Sequence, residues 1–299
     1  MAGHRLIILL GPTAVGKTER SIALAQKYDS PIISCDSRQL YRQMSIGTAV
    51  PSAEQLSQVR HYFIQDHDVT DIYTAGKYEL EALALMNRLF DAGHETLVMA
   101  GGSGFYIDAV CNGLDDFPPA DPQLREKLTR RWREEGVESL RMDLKILDPE
   151  SYKTIDIANG QRVVRALEVC LMTGRPFSSF KTNPQKKRDF EIEKIGLTRP
   201  REELYRRIDA RATRMIKDGL VDEVRSLVPH RHLPALQTVG YKEIFDYLDG
   251  SITLDKAIEL IQRNTRRYAK RQMTWFRRNP EIFWLDRTAC TEFSEGFLR

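Results

Sequence analysis

The chain has 299 residues, 41% of them hydrophobic, and a formal charge of +3 from 45 Lys+Arg against 42 Asp+Glu. That content supports a sizeable core in one large or two moderate domains, and it excludes a disordered or fibrous chain. The longest aliphatic run is Leu6 to Leu10, too short for a membrane span, and Cys35, Cys111, Cys170 and Cys290 stand far apart with no CxxC, so neither a disulfide framework nor a zinc ribbon is suggested. Buried free thiols are the expectation for all four. No signal-peptide pattern opens the chain, and a cytoplasmic protein with no membrane partner is expected.

The charge is unevenly placed. Residues 1–114 hold 9 basic and 12 acidic side chains, leaving 36 and 30 to the remainder. A basic surplus in the later part is compatible with a polyanionic partner contacted there.

The first element carries the strongest motif. In LIILLGPTAVGKT, an apolar strand from Leu6 to Leu10 runs into a complete GxxxxGK[ST] phosphate loop, Gly11 to Thr18. The backbone N–H groups from Thr13 through Ala14, Val15, Gly16 and Lys17 to Thr18 are expected to surround a phosphate at a helix N-terminus. Lys17 adds a point charge, and the Thr18 hydroxyl is the candidate ligand for Mg²⁺. A di- or triphosphate is therefore expected.

The next strand, in SPIISCDS, ends at Asp36, with Ser37, Arg38 and Gln39 following. A carboxylate at that edge can hold a metal ion or accept a proton from a nucleophile, and an Asx turn is the alternative reading. The strand in ETLVMAGGSGFY ends in a Gly-rich turn whose one hydrogen-bonding side chain is Ser103. No aspartate ends this strand, which argues against simple nucleotide hydrolysis.

Strands alternating with helices predict an α/β fold built on a doubly wound parallel sheet, with ligands at its carboxyl edge. Pro118, Pro119 and Pro122 break the pattern near residue 115. From there to residue 188 only helical periodicity is read, which predicts an all-helical insertion between a first core segment, 1–114, and a completing segment, 189–299.

Within the insertion, NGQRVVRALEV sets Gln161, Arg165 and Glu168 on one helix face with Arg162 beside them, and Val163, Leu167 and Cys170 on the core side. After the strand DFEIEKIGL, long helices are predicted from Pro200 to Leu227, Tyr241 to Leu248 and Leu254 to about Arg278. The first aligns Arg207, Arg211 and Arg214, either for a diphosphate or for intrahelical pairing with Asp209 or Asp218. His230 and His232 lack nearby partners and are not read as a metal site.

The last helix has seven basic residues and no acidic one between Arg263 and Arg278, with Arg263, Arg266, Arg267, Lys270 and Arg271 on one arc. Ile261, Tyr268, Ala269 and Phe276 fall largely opposite. Nucleic-acid phosphates are the favoured partner, against a solvated face or a membrane-surface helix.

Read from the residues alone, a nucleotide or small-molecule kinase and a non-catalytic RNA-binding protein both remain open. Six segments in order, GPTAVGKT, ISCDSRQLYR, AGGSGFY, NGQRVVRALEV, LTRPREELYRRIDAR and LQTVGYKE with AKRQMTWFRR, resemble the tRNA dimethylallyltransferase family, also called isopentenyl-tRNA transferases, over residues 6 to about 285. The family usually has Thr at the place of Ser103, and the chain shows no zinc-finger pattern at its end, so it looks like the bacterial type.

The resemblance implies transfer of a dimethylallyl group from dimethylallyl diphosphate to N6 of the adenine 3′-adjacent to the anticodon. Asp36 would be the base and Ser103 a hydrogen-bonding partner in the reaction centre. Lys17, Arg211 and Mg²⁺ near Thr18 would neutralise the departing diphosphate. It further implies tRNA contacts at Asp36 to Gln39, Ser103, Arg125, Gln161 to Arg165 including Val163 and Val164, and Gln237, Thr238, Val239, Gly240, Tyr241 and Lys242. The expected partners are the tRNA anticodon stem-loop and dimethylallyl diphosphate, and a monomer is expected.

Overall fold

The computed structural model describes residues 3–182 and 186–286. Cys290 lies outside the described residues. Two compact units form: one joins the chain up to Cys111 to the chain from Lys187 onward, and the other is Asn112–Lys186.

The first unit is built on β1 (Arg5–Leu10), α1 (Lys17–Lys27), β2 (Ile32–Ser34), α2 (Ala53–Gln58), β3 (His61–Tyr62), α3 (Ala75–Asp91), β4 (Thr96–Gly101) and α4 (Gly104–Asn112). Its strands make one wholly parallel six-stranded sheet in the order β3-β2-β4-β1-β5-β6, completed by β5 (Glu191–Thr198) and β6 (Phe283–Asp286). Leu6 to Leu10 are at most 1% exposed. Each such side chain contributes roughly 1.5–3 kcal/mol relative to exposure, which makes β1 the spine of the core.

Register, more than composition, positions the site. Leu10 pairs with Gly101 and Ser34 with Ala100. The turns that follow β1, β2 and β4 therefore leave the sheet at one edge, side by side, and bring the phosphate loop, Asp36 and Ser103 together.

The remaining helices are α9 (Arg201–Lys217), α10 (Leu220–Ser226), α11 (Tyr241–Leu248) and α12 (Leu254–Phe276) in this unit, and α5 (Pro122–Glu135), α6 (Val137–Leu147), α7 (Pro149–Thr154) and α8 (Gly160–Thr173) in the second. The single helix expected from Pro200 to Leu227 is two, because Gly219 adopts a left-handed φ of 101° and caps α10. The sequence reading assigned no element to α2, α3, β3 or β6. No described helix is long and apolar enough to cross a membrane. Cys35, Cys111 and Cys170 are buried free thiols.

In the helical unit, Leu128, Leu140, Leu144, Val163, Val164 and Leu167 form a closed core. Val163 is 0% and Val164 4% exposed. Neither side chain is open to RNA, which corrects their placement among tRNA-contacting residues. Trp132 packs against the bare Cα of Gly160, where a Cβ would lie 2.2 Å from the indole.

Candidate active site

The phosphate loop is gripped by the protein around it. Gly11 is required because a Cβ there would lie 2.7 Å from the Leu197 carbonyl oxygen, and Gly16 opens α1 at a left-handed φ of 94°. Lys17 Nζ donates to the Gly11 and Pro12 carbonyls at 3.0 Å each. Arg199 Nε and Arg207 Nε donate to the Val15 and Ala14 carbonyls at 2.9 Å, and Arg211 Nη2 donates to Thr13 Oγ1 at 2.6 Å.

Two of the expected diphosphate donors are engaged by the protein itself. The Thr13 N–H is held by Gln272 Oε1 at 2.8 Å, and the Val15 N–H turns back to the Pro12 carbonyl at 3.4 Å. The Val15 side chain is core, 0% exposed.

Burial lowers the Lys17 ammonium to about 8, against the opposing pull of the Asp36 carboxylate and with the help of the nearby Arg211 charge. Burial likewise lowers Arg211, opposed by Asp36 and aided by Arg207. Two desolvated cations beside one carboxylate leave an excess of positive charge, the condition under which an anion is held and a developing anion stabilised.

Asp36 is half-buried, and its Oδ1 accepts the N–H groups of Arg38 at 2.9 Å and Gln39 at 3.3 Å. The Asx turn is thus real, and both of these bonds fall on one oxygen. Ser103 Oγ accepts the Ser37 N–H at 2.9 Å and donates to Ser37 Oγ at 3.2 Å, so the β2 and β4 turns are joined beside Asp36.

Two cavities meet here. The first, about 430 Å³, is lined by Thr13, Lys17, Thr18, Asp36 and Arg211 with Arg207 and Arg214. Asp209, one of the two acids that could pair with this arginine stripe along its own helix, pairs with Arg266 of α12 instead. The second cavity, about 470 Å³, is lined by Gln237 to Gly240, Lys242, Arg38, Arg267, Tyr268 and Arg271. Thr13, Asp36, Thr48, Ala49 and Arg211 line both.

Mg²⁺ fits the donor chemistry of the first cavity. Among the described residues no group of three or more His, Cys, Asp or Glu could hold a metal alone. The Thr18 hydroxyl and the Asp36 carboxylate are hard oxygen donors on the same cavity wall, suited to an ion whose other ligands are diphosphate oxygens and water.

Several expected tRNA contacts are placed otherwise. Tyr241 is 0% exposed, and its hydroxyl donates to Glu223 at 2.6 Å. Gln39 Nε2 donates to the Thr48 and Ala49 carbonyls at 3.0 and 2.9 Å, which makes it a brace of the shared wall. In the helical unit Glu168, 0% exposed, accepts from Arg125 Nη2 at 2.6 Å, Arg165 Nη1 at 2.8 Å and the Asp121 N–H at 2.9 Å. A carboxylate so buried needs paired charge, so Arg125 and Arg165 are structural partners first. Gln161 and Arg162 are exposed on the first turn of α8.

On α12, Arg263, Arg267, Lys270 and Arg271 are exposed, whereas Arg266 is paired. Tyr268, expected on the packing face, is 36% exposed and lines the second cavity.

The sequence reading missed Arg199, Gln272 and Glu223, of which Arg199 holds the Val15 carbonyl of the phosphate loop. Gln272 is a polar side chain in the middle of the apolar arc of α12, which was a legible signal. Glu223 accepts the N–H groups of Ser45, Ile46 and Gly47 at 3.0, 2.7 and 3.0 Å, holding the loop that leads to Thr48, and an acid on a short amphipathic helix carries no such signal.

The model of the family described as IPP transferase matches residues 39–279. tRNA dimethylallyltransferase 1 of Bacteroides thetaiotaomicron is 49% identical over 294 residues, covering 98% of this chain and 95% of the relative. tRNA dimethylallyltransferase 2 of Porphyromonas gingivalis is 51% identical over 281 residues, covering 94% and 93%. The crystal structure of full-length tRNA isopentenylpyrophosphate transferase from Bacillus halodurans superposes with a TM-score of 0.68 at 36% identity, over 95% of this chain and 90% of that one. A eukaryotic dimethylallyltransferase acting on tRNA superposes at 0.78 with 25% identity, over 95% and 74%. The chain belongs to the IPP transferase family.

Proposed function

We propose that this protein transfers a dimethylallyl group from dimethylallyl diphosphate to N6 of the adenine 3′-adjacent to the anticodon of tRNA, releasing diphosphate. One observation carries the reading: a cationic phosphate-loop cavity and a second cavity with a basic wall share Asp36, Thr13 and Arg211. Two substrates entering from the two sides meet at a carboxylate.

The diphosphate lies against Lys17, Arg211 and the α1 N-terminus, and the adenine, extruded from its stack, enters the second cavity. The N6 lone pair forms the new bond to the allylic C1 as the C1–O bond breaks, and the electron pair of that bond leaves with diphosphate. The N6 proton passes to Asp36, whose turn is braced by Ser103 through Ser37. The Thr18 hydroxyl on the wall of the first cavity would hold Mg²⁺, which would add to the neutralisation of the leaving diphosphate. Arg38, Gln237 to Gly240, Lys242, Arg267 and Arg271 face the RNA, with Arg263 and Lys270 on its phosphates and Gln161 and Arg162 from the helical unit. One chain lines both cavities, which supports a protein that acts as a monomer, in the cytoplasm where its tRNA substrate is.

Incubation with isotope-labelled dimethylallyl diphosphate, Mg²⁺ and unmodified tRNA tests this. The expected result is label in the tRNA and one diphosphate released per label. Phosphate transfer from ATP, or RNA binding with no transfer, overturns it.

A further inference from the structure

We infer that Gln272 is a positioning residue for the diphosphate half of the site, holding the phosphate loop in register with the turn that carries Ser103. The inference rests on the function proposed above. Gln272 lies on α12, on the face away from the arginines, and is 6% exposed. A primary amide so buried needs both its acceptor and its donor satisfied. Oε1 accepts the Thr13 N–H at 2.8 Å, and Nε2 donates to the Gly102 carbonyl at 2.9 Å. The reverse amide orientation would oppose donor to donor and acceptor to acceptor, so the network admits one.

These partners lie in the turns that leave two adjacent strands, 259 and 170 residues away in sequence. A Cβ on Gly102 would stand 2.3 Å from Nε2, so the turn reaches the amide only as glycine. On the loop side, Thr13 is fixed at two atoms, its N–H by Gln272 and its hydroxyl by Arg211 at 2.6 Å. That anchors the strained backbone beyond it, Ala14 at φ 64° and Gly16 at φ 94°, and so the direction in which Lys17 and Thr18 are presented. On the other side, Gly102 precedes Ser103, which holds Ser37 next to Asp36. One amide from the helix whose Arg267, Tyr268 and Arg271 line the second cavity thus sets the geometry of the leaving-group side.

The test compares Gln272→Met and Gln272→Glu with wild type, reading inorganic pyrophosphate affinity by calorimetry and the KM values for dimethylallyl diphosphate and tRNA. The Met variant keeps the length and loses both bonds. It should weaken pyrophosphate binding and raise the dimethylallyl diphosphate KM by about 5- to 20-fold, leaving the tRNA KM within about twofold. The introduced carboxyl of the Glu variant, when ionised, opposes the Gly102 carbonyl, and when protonated it can remake both bonds. Its pyrophosphate affinity relative to wild type at the same pH should therefore recover towards unity as pH falls through the raised pKa of a buried acid. The Met variant, which has no group to titrate at that position, should keep a constant ratio over the same pH range, and thermal unfolding at each pH separates recovered binding from recovered stability.

Unchanged pyrophosphate affinity in the Met variant, an equal rise in the tRNA KM, or no recovery of the Glu variant at low pH overturns the inference. Wild-type protein that transfers no label to tRNA overturns the functional reading itself, and the pyrophosphate ratios then still report on Gln272 and the loop.

Discussion

The arginines of α8 and those of α12 read alike in sequence and differ in what faces them. Arg165, with Arg125 from α5, closes on Glu168, a carboxylate with no exposure at all. Arg267 and Arg271 are exposed, form no ion pair among the described residues, and line a cavity that Asp36 also lines. A buried carboxylate must be paired because its desolvation otherwise costs several kcal/mol, so it claims whatever cations lie nearest. A basic residue is available to a polyanion only where no such claim exists. Arg266, bound to Asp209 in the midst of the α12 run, repeats the lesson on a smaller scale.

Asp36 stands on both sides of that divide, since its Oδ1 has a structural duty and the carboxylate as a whole is assigned a chemical one. Asp36→Asn keeps an Oδ1 acceptor for the turn and removes the basicity. Single-turnover transfer on preformed complex should fall by roughly 10²- to 10⁴-fold, with both substrates still bound. A loss under about tenfold would remove Asp36 from the base role.

Glu168→Ala attacks the claimed arginines. It leaves Arg125 and Arg165 without their partner and should destabilise the helical unit by roughly 2–3 kcal/mol, below the usual cost of breaking a fully buried pair because both guanidinium groups reach solvent. Thermal unfolding measures it. Unaltered stability together with weakened tRNA binding would show that the cluster serves RNA instead.

The Lys17 charge gives a pH signature on the unclaimed side. Its ammonium is protonated below about 8 and neutral above. A polyanion binds the protonated form better, so the KM for dimethylallyl diphosphate at saturating tRNA should rise above pH 8 by up to roughly tenfold per unit, until the raised value in the complex is passed. Lys17→Arg, charged throughout, should flatten that rise. A profile equally steep in this variant would place the titration elsewhere.

The smallest effect is the slope of log tRNA affinity against log salt. Arg267→Ala combined with Lys270→Ala should make it shallower by roughly 0.7–0.9 for each tRNA phosphate that the protein no longer neutralises. Arg165→Gln should change the slope less, because Glu168 already takes up part of the charge of its two arginines. Equal shifts in both would erase the distinction between the helices.

Much of this was legible in the residues. A strand of five buried aliphatics running into GxxxxGK[ST], and two more strands ending at Asp36 and in a Gly-rich turn, placed the phosphate loop, Asp36 and Ser103 at one sheet edge. The break at Gly219 was hidden because a glycine within helical periodicity reads as tolerated until its φ is known. β3, two residues long, and β6, four, are too short to show periodicity. α3 carries a readable stripe in Tyr78, Ala82, Leu85, Met86 and Leu89, a helical period that marks a packing face and no chemistry. What sequence could not supply was the partner of each charge: Glu168 for Arg125 and Arg165, Asp209 for Arg266, and Gln272 for an amide of the phosphate loop.

The central claim is that N6 of one adenine receives the dimethylallyl group. Two anticodon stem-loops identical except at the position 3′-adjacent to the anticodon, one with adenosine and one with inosine, whose C6 carries an oxygen in place of the amine, test it directly with labelled dimethylallyl diphosphate. The account predicts label in the adenosine loop alone, located by nuclease mapping to that nucleotide. Label in the inosine loop, or at any other nucleotide of the adenosine loop, would contradict it.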